Sequence, residues 1–197
     1  MADHDRPKQL RLFVACELSD AVRDGLRRIQ DDLRRLEAGR LRWARPESIH
    51  VTLKFLGDVD EARVEEISSA LADAIEPFEL RLQPAALGSF GGARLRVIWV
   101  GLQGDVEPLA SLAGRVEAAL TPLGFPQERR PFAAHLTLAR VPDQVPPADR
   151  RKLANLIDGY RSPPLPSMIV TDVSLMQSTL RPDGSVYRRL ASFPREV

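Results

Sequence analysis

Apolar and polar positions alternate in two distinct modes along the chain, and the order of the modes nearly repeats. Residues 10–18, Leu-Arg-Leu-Phe-Val-Ala-Cys-Glu-Leu, are rich in β formers and predict a strand. Ser19 then offers an N-cap. Val22, Leu26, Ile29, Leu33 and Leu36 follow at spacings of four and three, which predicts a helix with one apolar face, stopped by Gly39. A short strand is expected at 41–44, a turn at Arg45-Pro46-Glu47-Ser48, and a strand over 49–56 closed by Gly57. A second amphipathic helix is read over 61–75, with Val64, Ile67 and Leu71 on its buried face, and a strand over 78–87.

The pattern then restarts. Gly88-Ser89-Phe90-Gly91-Gly92 reads as a turn and 94–102 as a strand. Val106, Leu109, Leu112, Val116 and Leu120 mark a third helix, and Gly124 and Pro126 break the chain. Residues 132–141 read as a strand, 142–147 as a loop and 149–160 as a helix. The segments 167–177 and 185–193 predict a hairpin, with Arg181-Pro182-Asp183-Gly184 as its turn. Each half thus alternates helices and strands, an α+β pattern. Two similar lobes facing each other would set their corresponding strands side by side across a pseudo-two-fold axis.

One string occurs in both halves: His50-Val51-Thr52-Leu53 and His135-Leu136-Thr137-Leu138. Two copies make a weak internal repeat, not a solenoid. Side chains alternate faces along a strand. Regular alternation puts Ile49, Val51, Leu53 and Phe55 on one apolar face, and His50, Thr52 and Lys54 on the other. In the second copy Ala134, Leu136 and Leu138 share one face and His135 and Thr137 the other, with Arg140 opposite His135. An imidazole and a hydroxyl two residues apart emerge together and can hold the same phosphate. A single His-x-Thr in a strand is usually an ordinary satisfied histidine. Here, two of only three histidines carry the string, and the third, His4, lies in a polar N-terminal stretch.

Two imidazoles facing one phosphorus make an acid–base pair. Their unperturbed pKa, about 6.5, lets one be neutral and the other protonated near neutral pH. The neutral ring takes a proton from attacking water and the protonated ring gives one to the leaving oxygen, each worth about 10²–10⁴-fold. The threonine hydroxyls can bond the non-bridging oxygens as their charge grows. Spacing alone leaves the two roles interchangeable.

Bulk properties narrow the field. The 197 residues suit one large domain, or two small lobes sharing an interface, and are taken as a single unit over 1–197. A hydrophobic fraction of 44% and a charged fraction of 28% are those of an ordinary globular chain. A net charge of +1 supplies no global field for nucleic acid, so a polyanion would need a local basic cleft. The single Cys16 permits no intrachain disulfide, which argues for a reducing, cytoplasmic setting. The polar start lacks an apolar signal core, and no apolar run approaches the ~18 residues of a membrane span. One Cys and three His without clustering argue against a zinc site. No GxxxxGK[ST] or GxGxxG string suggests a nucleotide cofactor. No metal or cofactor is expected, and a monomer is the expectation for this size.

The chain resembles the two-histidine phosphoesterase superfamily, in its bacterial and archaeal RNA 2′,3′-cyclic phosphodiesterase branch (formerly called 2′–5′ RNA ligase). The resemblance rests on Arg11-Leu12-Phe13-Val14-Ala15, Trp43, the string from His50 through Lys54-Phe55-Leu56-Gly57, and the string Pro131-Phe132-Ala133-Ala134 leading into His135 through Arg140. Ser178-Thr179-Leu180-Arg181-Pro182-Asp183-Gly184 with Tyr187 extends it to the C-terminal region. It implies a bilobal α+β fold, each lobe an antiparallel sheet with helices, around a central cleft. It implies hydrolysis of a ribose 2′,3′-cyclic phosphate, on RNA ends or nucleotides, to a 2′-phosphate. It assigns His50 as the proton donor and His135 as the proton acceptor.

Around that pair, Arg129 or Arg130 could clamp a phosphate, with Arg130 favoured because the resemblance places a basic residue there. Phe132 could stack a base, although its face points to core packing, and Trp43 could do the same from a strand. Tyr187 could donate to a phosphate. Lys54 could add positive potential beside His50. Two other functions compete: a nucleotide or RNA-end binding module without turnover, and a 2′–5′ RNA ligase acting on tRNA halves. Intact histidines in both copies argue against the first. Near-neutral charge and no added RNA-binding domain argue against the second.

Overall fold

The computed structural model describes residues 8–36, 41–181 and 184–195. In chain order the elements are β1 (Gln9–Cys16), α1 (Asp20–Arg35), β2 (Arg42–Trp43), β3 (Val51–Asp60), α2 (Val64–Ala74), β4 (Leu80–Phe90), β5 (Val97–Gly104), α3 (Val106–Leu120), β6 (His135–Arg140), α4 (Pro147–Gly159), β7 (Met168–Val170), β8 (Val173–Arg181) and β9 (Gly184–Phe193). They form two antiparallel sheets, ordered β3-β1-β8-β9 and β2-β6-β5-β4-β7.

The internal repeat is a strand–helix–strand unit. β1, α1 and β3 form one copy and β5, α3 and β6 the other; within each, the histidine-bearing strand pairs antiparallel with the first strand. The lobes are not the two halves of the chain, however. β4 comes from the first half but pairs with β5, and β8 comes from the end but pairs with β1. β2 precedes β3 in sequence yet pairs with β6. Side-chain bonds cross as well. Gln30 of α1 is fully buried and donates from Nε2 to Ala44 O at 2.8 Å and Leu138 O at 3.0 Å, in the second sheet. Lys54 of β3 donates from Nζ to Glu117 of α3 at 2.5 Å and to Pro126 O at 2.8 Å. One continuous apolar cluster runs through both lobes.

Helix α1 forms where its pattern predicts. Ser19 Oγ accepts from Val22 N at 3.5 Å, Asp20 stands in the first turn and Arg34 and Arg35 in the last. Val22, Leu26, Ile29 and Leu33 are fully buried. Leu36 breaks the expected stripe: it caps the helix and is 53% exposed. Gly39, the expected stop, lies outside the described residues, as do Pro182 and Asp183 of the terminal hairpin turn. The hairpin itself pairs over Val173 to Arg181 against Phe193 to Gly184.

Several boundaries move for identifiable reasons. β3 starts at Val51, so His50 lies just outside the ladder, and Gly57 does not close the strand. At φ +75° it sits in a bulge that lets the strand continue to Asp60. The run from Gly88 to Phe90 is strand, not turn. Gly88 faces Trp99 of β5, where a Cβ would fall 2.3 Å from the indole, so glycine serves close packing there. The turn starts at Gly91, at φ +109°.

The largest departure concerns alternation. In β1–β3 pairing, Val14 faces Lys54 and Ala15 faces Thr52, leaving Leu53 without a partner. In β5–β6 pairing, Ile98 faces Ala139 and Trp99 faces Thr137, leaving Leu138 without one. Both motif leucines are therefore β-bulges, and each reverses the face of the residues after it. Leu53 and Lys54 both point into the core, at 5% exposure each, and Phe55 returns to the His50 side. Leu138 and Ala139 are both buried, and Arg140 returns exposed to the His135 side. Lys54 is thus not beside His50, Phe55 is not a core residue, and Arg140 is not opposite His135.

Two measurements test this packing. Removing Lys54 strands a buried carboxylate, so Lys54→Ala should cost about 3–5 kcal/mol in urea denaturation, with much of the loss recovered in Lys54→Met/Glu117→Leu. Cys16 is fully buried, and burial, reinforced by Asp172, pushes its thiol up to about 12. A native sample should give no fast reaction with a thiol reagent, and one thiol per chain in guanidinium.

Candidate active site

β3 and β6 adjoin where the two sheets meet. His50 precedes the first residue of β3 and His135 opens β6, so both imidazoles project at that junction, each with its threonine two residues on. Thr52 and Thr137 are half-buried on the same faces, opposite Ala15 and Trp99.

Both rings are held by the same local device. His50 Nδ1 lies 2.8 Å from Ser48 O, and His135 Nδ1 lies 2.7 Å from Ala133 O. A carbonyl oxygen can only accept, so each Nδ1 carries the proton and donates it. Nε2 is then the nitrogen free to exchange a proton. The carbonyl belongs in each case to the residue two before the histidine, where the chain enters the strand.

The surroundings differ. Phe13 of β1 stacks on His50 with ring centroids 4.6 Å apart, and Tyr187 of β9 meets it edge-on at 5.2 Å. Phe13, Ala15 and Met176, with Tyr187 against them, form a small apolar cluster separate from the main core, on the cleft face of the first sheet. Phe90 of β4 meets His135 edge-on at 4.9 Å, and Trp99 lies 6.3 Å away. Burial holds His50 below its ordinary imidazole value; a positive His135 pushes it the same way, while the Ser48 hydrogen bond and the Glu17 carboxylate push it back up. Burial alone would raise Glu17, yet hydrogen bonds from Arg189 Nε at 2.7 Å and Ser174 Oγ at 2.8 Å, with the charges of Arg189 and Arg23, keep it below the usual carboxylate value. A fixed negative charge therefore stands near the first imidazole.

Not every residue singled out in the sequence is at this site. Tyr187 is. Trp43 is not: it pairs with the buried Ala139 on the helix side of the second sheet, with the Arg34 guanidinium 4.8 Å over its ring. Phe132 is half-buried and packs against the main core, in the segment before β6. Arg129 and Arg130 are exposed in the same segment, where their backbone N–H groups approach Glu128 Oε1 at 3.1 and 3.5 Å. Phe13, Phe90, Trp99 and Glu17 lie around the imidazoles, and Phe55 lies against Phe13, without having been singled out for the site. Phe13 and Trp99 lie on neighbouring strands, and only pairing reveals that they face a histidine. Among the described residues no three His, Cys, Asp or Glu side chains gather as metal ligands, and no helix is long and apolar enough to cross a membrane.

A family model described as LigT-like phosphoesterase matches residues 17–99 and 100–187, and each stretch holds one histidine string. An RNA 2′,3′-cyclic phosphodiesterase of Methanothermobacter thermautotrophicus is 35% identical over 94% of this chain and 98% of its own length. One of Archaeoglobus fulgidus is 33% identical over 93% and 99%. Among solved structures, E. coli LigT complexed with 3′-AMP superposes with a TM-score of 0.71 at 26% identity, covering 94% of this chain and 98% of that one.

The electrostatics of the first imidazole can be checked by NMR. In the free protein His50 should titrate below the ordinary value of about 6.5, and Glu17→Gln should lower it further. Titration of His50 at or above the ordinary value would mean that burial does not govern this ring.

Proposed function

The chain belongs to the LigT-like phosphoesterase family, and from that premise we propose that it hydrolyses RNA and nucleotide 2′,3′-cyclic phosphates to 2′-phosphates with its two histidines as acid and base. The observation that carries the reading is the matched pair of carbonyl-locked imidazoles, each holding Nδ1 to a carbonyl and so presenting Nε2, with a threonine two residues on. The substrate class comes from relatives named for RNA 2′,3′-cyclic phosphodiesterase activity and from a structural neighbour that holds 3′-AMP.

Attack on a cyclic phosphate is in line, with the entering water and the departing 3′ oxygen on opposite sides of phosphorus. Two histidines brought from two sheets suit the two sides. His135 Nε2 takes a proton from water as the new P–O bond forms. Protonated His50 gives its Nε2 proton to the 3′ oxygen as the P–O3′ bond breaks. The phosphate stays on the 2′ oxygen, and the enzyme is left with His50 neutral and His135 protonated, a state that solvent exchange resets. Thr52 and Thr137 donate to the non-bridging oxygens. Arg130, exposed just before β6, supplies positive charge for the phosphate or its neighbour. Tyr187 and Phe13 hold the His50 ring in place. The buried single thiol suits a cytoplasmic setting, and the chain acts as a monomer.

Hydrolysis of 2′,3′-cyclic nucleotides should persist in excess EDTA. His50→Ala and His135→Ala should each lower kcat by at least ~10²-fold, and full activity in either variant would sink the mechanism. The pH dependence derives from the lowered His50 pKa. The acid must be protonated, so kcat/KM should fall as pH rises through a value below that of an ordinary histidine. The alkaline limb of kcat should lie higher, because bound phosphate favours the imidazolium.

A further inference from the structure

On the cleft face of the first sheet, Arg11 and Arg189 stand in different states. Along β1, Leu10, Leu12, Val14 and Cys16 belong to the main core, while Phe13 and Ala15 belong to the small cluster on the cleft side. Alternation therefore puts Arg11 on the cleft face, two residues before Phe13 and ~7 Å from it along the strand. On β9, Arg189 lies opposite Met176 of that cluster and commits its guanidinium to Glu17 at 2.7 Å. Arg11 is exposed, and its guanidinium makes no ion pair or hydrogen bond among the described residues, although Asp58 of β3 stands opposite it. Arg23, Arg27, Arg34 and Arg35 of α1, by contrast, each hold a carboxylate three residues back.

The neighbours of Arg11 suit an anion. Ser178 of β8 is its direct partner across the strands, and Tyr187 of β9 is in turn the partner of Ser178. Direct partners share a sheet face, so a guanidinium and two hydroxyls form one row of donors across three strands. Neither hydroxyl has a hydrogen-bond partner among the described residues. The Tyr187 ring closes the row against His50, edge-on at 5.2 Å. The second copy of the repeat lacks the cation. Trp99 faces Thr137 as Ala15 faces Thr52, and four residues before Trp99 stands Leu95, which is buried.

The proposed reaction says which anion comes near. His50 gives its proton to the 3′ oxygen, so the ribose that carries the cyclic phosphate lies against the first sheet. In RNA the 5′ oxygen of that ribose carries the phosphodiester to the preceding nucleotide, one sugar away from the reacting phosphorus. A free guanidinium takes such a group through two parallel N–H donors. With a net charge of only +1, the protein must hold its polyanion by such local contacts. We propose that Arg11, with Ser178 beside it, is the subsite for that phosphodiester, and that it makes RNA ends better substrates than the corresponding mononucleotides. The proposal rests on the cyclic phosphodiesterase reading.

Steady-state hydrolysis of four substrates tests it: adenosine 2′,3′-cyclic phosphate, the same nucleotide with a 5′-phosphate, adenylyl-3′,5′-adenosine ending in a 2′,3′-cyclic phosphate, and that dinucleotide with a neutral methylphosphonate linkage. The wild-type protein should favour the charged dinucleotide over the neutral one by about ten-fold in kcat/KM. Arg11→Gln should abolish that preference with a far smaller loss on adenosine 2′,3′-cyclic phosphate, and Arg11→Lys should keep most of it. In Arg11→Gln the log–log salt dependence of kcat/KM for the charged dinucleotide should be shallower by ~0.7. Equal kcat/KM for the charged and neutral dinucleotides in the wild-type protein would overturn the subsite and leave the activity standing. So would a preference that survives in Arg11→Gln, or a loss in that variant that is equal on all four substrates, which marks a structural role. A gain for the 5′-phosphorylated nucleotide without one for the charged dinucleotide would assign the row to a terminal phosphate and overturn the RNA subsite. Failure of the wild-type protein to turn over any of the four would remove the functional reading, and this proposal with it.

Discussion

The two β-bulges at the motif leucines are the constraint on which the arrangement depends. A strand that lines a cleft on one side and a core on the other must alternate strictly, and neither motif strand does. After presenting His50 and Thr52 to the cleft, β3 sends Leu53 and Lys54 to the core in succession. After presenting His135 and Thr137, β6 does the same with Leu138 and Ala139. The irregularity has useful consequences. It turns Lys54 inward to meet Glu117 of α3, and it returns Phe55 to the cleft. At Leu138, which has no partner on β5, the carbonyl is taken up by Ala44 N at 2.9 Å and by the buried Gln30 amide. A bulge in the interior survives because its backbone polar groups find partners.

Those partners also explain why the lobes hold together. The buried groups that cross between the repeat units, Lys54 with Glu117 and Gln30 with the β2–β6 edge, are all anchored next to the motif strands. Arg150 plays a related part further out. Its guanidinium is nearly buried and is bonded entirely to carbonyl oxygens, of Val145, Arg94, Leu95 and Pro142, tying α4 to the turn after β4 and to the loop after β6. Strand exchange makes the histidine geometry a property of the whole chain. β1, which places Phe13 under His50, lies between β3 and the C-terminal β8, and β9 brings Tyr187 to the same imidazole.

The two imidazoles are held alike, and their surroundings differ. Each imidazole is locked by a carbonyl two residues back, so both present Nε2. His50 is stacked under Phe13 with the Glu17 carboxylate near it, whereas His135 meets Phe90 edge-on.

The sequence by itself determined the elements and the chemical pair. Periodic apolar residues located α1 and α3, although α1 ends at Arg35, before the expected stop, and the duplicated His-x-Thr-Leu string carried the imidazoles and hydroxyls, because both signals are local and depend on spacing along one element. Tertiary structure alone decided what depends on register between strands. A bulge is defined by the partner strand, so no reading of 50–57 could show that Lys54 turns inward and Phe55 outward. Sheet membership is likewise a matter of pairing, which is why β2, β4 and β8 join the lobe opposite to the one their place in the chain suggests, and why Trp43 faces a helix while Phe13, Phe90 and Trp99 face the histidines.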